Sequence, residues 1–71
     1  MNDTPPQETY IATHLWQDLR RWQAIHRGMP IGPSRTTKEL AMSDAHRMGK
    51  MPVYIFDGDS HMWNTIAETT S

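Results

Sequence analysis

Cysteine is absent from this 71-residue chain, which excludes disulfide staples and thiolate zinc centres alike. Long apolar runs are also missing. The longest, Val53-Tyr54-Ile55-Phe56, is four residues, against the about 20 that a membrane helix needs. No segment has the pattern of a signal peptide, and the expectation is a soluble, cytoplasmic protein with no membrane partner. Net charge is only −1, too little to argue for or against a polyanionic partner. Glycine-rich loops around a serine nucleophile are lacking as well. Ser34, Ser43, Ser60 and Ser71 fall in caps, polar faces or ends, so no catalytic residue is expected and the chain reads as a non-enzyme.

The length suits one domain, 1–71, near the size at which a single core only just suffices. Residues 1–4 and 68–71 are expected to be disordered. A thin core allows a homodimer as readily as a monomer.

The charges present are sorted along the chain. All seven cations (Arg20, Arg21, Arg27, Arg35, Lys38, Arg47, Lys50) lie between positions 20 and 50, opposed there only by Glu39 and Asp44, a net +5. Both flanking segments carry −3. The chain therefore has a basic middle between acidic ends.

Apolar residues Ile11, Leu15, Leu19, Trp22, Ile25 and Met29 are spaced four, four, three, three and four apart. That spacing predicts a helix over about 5–27, entered at Pro5 and stopped by Gly28 and Pro30. "GMPIGPS" reads as a stiff connector. Its Pro30-x-x-Pro33 spacing also suits proline-helix recognition, a frequent chance pattern. Thr36 with Glu39 forms a capping box for a second helix, about 37–48, closed by Gly49 and Pro52. Val53 to Phe56 predicts a strand, and "DGDS" a turn. "HMWNTIA" fits a helix capped by Ser60 or a returning strand. The cost of a lone, unpaired strand favours the second. The expected fold is α+β: two helices packed on a C-terminal β-hairpin, about 52–57 and 61–67.

On the first helix Trp16 would sit about 110° from the apolar stripe, aligned with Arg20, Gln23 and Arg27. Two readings follow: the indole wraps the core edge, or it belongs to a contact surface, since Trp and Arg dominate binding hot spots. The second makes Trp16, Arg20, Gln23 and Arg27, extended by Arg35, Arg47 and Lys50, the partner-binding set. The partner would be a larger protein or protein complex, regulated or inhibited by occupancy. Chains of this size with no catalytic apparatus are often virus- or mobile-element-encoded factors acting on host machinery, transcription included. The rival is a nucleic-acid-binding regulator using the basic 20–50 segment, since two helices and a hairpin follow the order of a winged helix. Asp57 and Asp59 at the would-be wing tip oppose it.

No cofactor is expected, nor a metal. His14, His26, His46 and His61 have no ligand spacing beyond His14 with Asp18, and "DGDS" lacks the later glycine and glutamate of a calcium loop. The six methionines serve as adaptable filler or a pliable surface.

Overall fold

A computed structural model describes residues 8–66. The element order is β1 (Thr9–Trp16), β2 (Leu19–His26), β3 (Met29–Pro30), α1 (Lys38–Arg47), β4 (Tyr54–Asp57) and β5 (Met62–Thr65). The strands form one five-stranded sheet in the order β3-β2-β1-β4-β5. β4 runs parallel to β1 and every other pairing is antiparallel. The single helix is the crossover that carries the chain from the β3 edge to the far side of β1.

The helix expected over 5–27 is therefore replaced by a hairpin. Ile11 and Ile25 are buried, but Leu15 is 50% exposed, Leu19 48% and Met29 66%. The stripe was never one face. Its strand members divide between the two sides of the sheet, Ile11, Leu15 and Trp22 on one and Leu19 and Ile25 on the other, and the 3.6-residue rhythm arose by coincidence. Local chemistry favours strands: Thr9, Tyr10, Ile11, Thr13, Trp22 and Ile25 are β-branched or aromatic. The hairpin turns on Gln17 (φ 52°) and Asp18 (φ 66°), two consecutive left-handed residues, the geometry that matches strand twist in a two-residue loop. The second turn, Arg27 (φ 54°) and Gly28 (φ 80°), repeats it. With one helix only, the helix–helix–hairpin order of a winged helix is also absent. The C-terminal strands do pair, Tyr54 opposite Thr65 and Asp57 opposite Met62, but as the far edge of the common sheet rather than as a sheet of their own. The expected disorder of residues 1–4 and 68–71 lies outside the described residues.

α1 begins one residue later than the Thr36 box implies. Thr37 is the cap, its hydroxyl accepting the Leu40 amide at 3.2 Å. At the other end the Lys50 amide donates to the Ala45 carbonyl (2.9 Å) and the Gly49 amide to that of His46 (2.9 Å). This Schellman closure needs the left-handed backbone of Gly49, φ 76°.

Strand alternation assigns the faces. Ile11, Ala24 and Ile55 share the face beneath α1, where Ala41 and Ala45 complete a core bordered by Trp22, Ile31, Met42 and Ile66. The helix packs over β2 and β1, and its alanines let it lie close.

One polar cluster sits within this layer. Asp44, on the buried side of α1, is 2% exposed. It accepts from Arg35 Nε (2.9 Å) and Nη2 (2.8 Å). Arg35 in turn extends the edge of β2, exchanging backbone hydrogen bonds with Trp22 at 2.8 and 2.6 Å. The carboxylate thus ties the loop after β3 to the helix. Gly32 lies against it: a Cβ there would stand 2.7 Å from Asp44 Oδ2 and 2.9 Å from both its Cβ and Cγ. Asp44 is held by the forked bond and cannot retreat freely. Gly32→Ala is therefore expected to cost about 1–3 kcal/mol, read as a fall of roughly 5–15 °C in melting temperature. Ser34→Ala, two residues away and exposed, should leave the melt unchanged.

Candidate functional site

Among the described residues the other side of the sheet carries no helix. Alternation places Tyr10, Ala12, His14 and Trp16 of β1, Leu19, Arg21, Gln23 and Ile25 of β2, Tyr54 and Phe56 of β4, and Trp63 and Thr65 of β5 on this open face. Five of the chain's six aromatic residues are among them. No aspartate or glutamate occupies a strand position on it among the described residues.

Two neighbouring patches make up the face. In the first, Phe56 and Trp63 are cross-strand partners with ring centroids 4.8 Å apart. Tyr10 meets Trp63 edge-on at 4.9 Å and Phe56 at 6.5 Å. His61, in the β4–β5 loop, adds an edge contact to Phe56 at 5.9 Å. Tyr10, Phe56 and Trp63 are half-buried, and such aromatic pairs add stability beyond their area. In the second patch, at the free end of the β1–β2 hairpin, Trp16 pairs with Leu19 and His14 with Arg21. Trp16 is 57% exposed, and His14 lies in the open too. Gly58 joins the patches: its amide donates to the Thr13 carbonyl at 2.8 Å, beside His14.

The residues singled out in the sequence do not form one surface. Trp16 ends β1, whereas Arg27 lies in the turn at the opposite end of β2 and pairs with Glu8 at 3.4 Å. Arg20 projects from the α1 side, reaching Thr13 Oγ1 and Asp59 at 3.4 Å each and Asp57 at 3.8 Å. Arg35 and Arg47 gather elsewhere, around the Asp44 cluster, while Gln23 keeps an open-face strand position. Gln23 donates from Nε2 to the Gly32 carbonyl at 2.8 Å, Arg35 holds Asp44, and Arg47 approaches it at 3.4 Å. Lys50 follows α1 with no ion pair among the described residues. Read as strands, the same segment points instead to Arg21 and His14 as neighbours of Trp16. A hairpin reading of "HLWQDLRR" was the signal that would have found them.

The electrostatics sharpen the contrast between the faces. Arg35 holds the Asp44 carboxyl below the usual carboxylate range against the opposing cost of burial. Asp57 is lowered too, chiefly by the Asp59 amide that donates to its Oδ1 at 2.9 Å, with help from Ser60 and Arg20. That Asx arrangement is the turn foreseen in "DGDS". Among the described residues the carboxylates of Glu8, Asp44, Asp57 and Asp59 are engaged with arginines. Arg21 has no ion pair there, and it is the one arginine on the open face.

Among the described residues the fold and face define a two-layer α/β domain with one helix on one side and, on the other, an aromatic sheet surface whose strand positions carry no carboxylate. No family model, curated protein or solved structure matches this chain. No described helix is long and apolar enough to cross a membrane.

Proposed function

We propose that this is a binding module without chemistry of its own, which regulates a larger macromolecule by docking on it through the open sheet face. The observation that carries the reading is the accumulation of five aromatics and the unpaired Arg21 on the side that α1 leaves bare. Trp and Arg at the centre of a surface are the usual anchors of binding energy. Trp16 and Leu19, exposed side by side, form the kind of contiguous apolar surface that marks interaction sites. The docking residues of the original Trp/Arg stripe reduce to Trp16, joined now by Leu19, His14 and Arg21. The ionisable side chains on the helix side are mostly spent on holding the fold together, as Arg20, Arg35 and Arg47 illustrate.

The test places a photo-crosslinking residue at His14, on the open face, and in a second variant at Ser43, an exposed position on α1. Both are expressed in cells that make the protein. High-mass adducts, of protein or nucleic acid, are expected from position 14 and not from position 43. Adducts from neither position, or equal adducts from both, would overturn the reading.

A further inference from the structure

The chemistry of the open face narrows its partner, and this step rests on the docking reading above. Protein interfaces share the enrichment in aromatics and arginine and the scarcity of carboxylates at their core, but add methionine within a polar rim. The strand positions of this face hold instead five aromatic rings, two polar amide or hydroxyl side chains (Gln23, Thr65), His14 and Arg21. Leu19 is its exposed aliphatic residue in β1, β2, β4 and β5, since Ile25 is 9% exposed and Ala12 is small. Every nucleobase has a π-face, and stacking on aromatics spread over a sheet is sequence-tolerant. Among the described residues the strand positions of this face carry no carboxylate, Asp18 lying in the hairpin turn at its end, and Arg21, with no ion pair among them, supplies a phosphate contact near the exposed indole of Trp16.

We propose that the open face binds single-stranded nucleic acid. Bases stack on the aromatic face from Trp63 and Phe56 at one end to the exposed Trp16 at the other. The backbone passes Arg21 and His14, which lie between them. From Tyr10 to Trp16 the strand covers six residue steps, about 20 Å at roughly 3.3 Å per residue, a length that accommodates several nucleotides. Duplex is the poorer fit. Its bases are already stacked, and its affinity depends on many phosphate contacts, whereas this face offers one fixed cation and a histidine.

The expected salt response is correspondingly shallow. Neutralising one or two phosphates of a single strand gives a log–log slope of about −0.7 to −1.4. The experiment measures fluorescence anisotropy of labelled DNA and RNA strands of about fifteen nucleotides, and of the matching duplex, between about 50 and about 200 mM salt. The full chain should bind at least one of the two single strands, at least about ten-fold more tightly than duplex. Trp16→Ala should weaken that binding about ten-fold with the melt unchanged, since the indole is exposed. Arg21→Ala should flatten the salt slope towards zero, and Lys38→Ala, at the start of α1, should change neither. Duplex bound as tightly as single strands, no binding of either strand, or a loss on Lys38→Ala that Trp16→Ala does not show would each overturn the proposal. If neither strand binds while the His14 crosslinker captures protein, this inference fails and the docking reading stands. If the crosslinker captures nothing as well, both fail.

Discussion

Replacing Ile11 with alanine is expected to remove most of the folding free energy, and Leu19→Ala almost none. Ile11 lies on β1, the central strand, with Ala24 and Ile55 beside it and Ala41 and Ala45 in the same cluster. It is 0% exposed, and among the described residues the only other large side chain that is fully buried is Asp44. Truncating a buried isoleucine costs about 2–5 kcal/mol, depending on how far the surroundings collapse. Alanines cannot reach into the gap. Only Met42, at the border of the cluster, is adaptable enough to fill part of it, which sets the expectation near 3 kcal/mol. A domain of this size has roughly 3–5 kcal/mol in all, so the variant should lose its cooperative melt near physiological temperature. Leu19 is 48% exposed and should shift the melt by only a few degrees. A helix bearing both residues on one buried stripe would make the two losses similar. Equal effects in thermal unfolding would therefore count against the sheet itself.

The same pair of residues shows what could be read from the chain. Segments with local punctuation were legible: α1 was placed to within one residue of its cap, Thr36 being expected where Thr37 caps, with Gly49 closing it, and "DGDS" turns because Asp57 captures two backbone amides. Val53 to Phe56 was legible as a strand from side-chain type alone. Residues 9–26 were not, for two physical reasons. Both faces of β1 and β2 carry apolar groups, Ile11 towards the helix and Tyr10 towards the aromatic cluster, so the polar–apolar alternation that marks a one-sided strand is missing. The turn is built from Gln17 and Asp18 rather than from the Asn-Gly pair that announces a tight hairpin. With the turn silent, chance spacing of leucines and isoleucines dominated. For Trp16 the sequence left two readings open, core edge or contact surface, and the sheet leaves the indole 57% exposed at the end of β1. Its neighbours changed because a helix brings together residues three and four apart, and a hairpin brings together residues across the turn. The Asp44 cluster was hidden for a further reason. An aspartate on the small-residue face of a short helix gives no hint that an arginine nine positions earlier will fold back to meet it.

That arginine makes Asp44→Ala the second large loss. Breaking a buried ion pair by removing one member costs about 3–5 kcal/mol, because the other charge is stranded. Here the surviving Arg35 side chain is 31% exposed and the covering layer is thin, so water can reach it. The expected loss is therefore about 2–3 kcal/mol, the scale of charged hydrogen bonds, or roughly 10–20 °C in melting temperature. The loss is one of pairing rather than of charge as such. The double variant Arg35→Met with Asp44→Leu replaces the pair by apolar groups of similar reach, and should recover most of the stability that the single variant forfeits. Acid separates this contribution from packing. The Asp44 carboxyl titrates below its ordinary value of 3.8 because Arg35 donates to its charged form. A group depressed on folding stabilises fully above its unfolded value and loses that stabilisation as pH falls through its folded one. The gap between the melting temperatures of the native chain and Asp44→Ala should thus be constant near neutrality and close progressively below pH 3.8. Asp57, also lowered, will weaken both proteins equally over that range and drops out of the difference. A gap that persists unchanged in acid would mean that the side chain acts by filling space beside Gly32 rather than by binding Arg35.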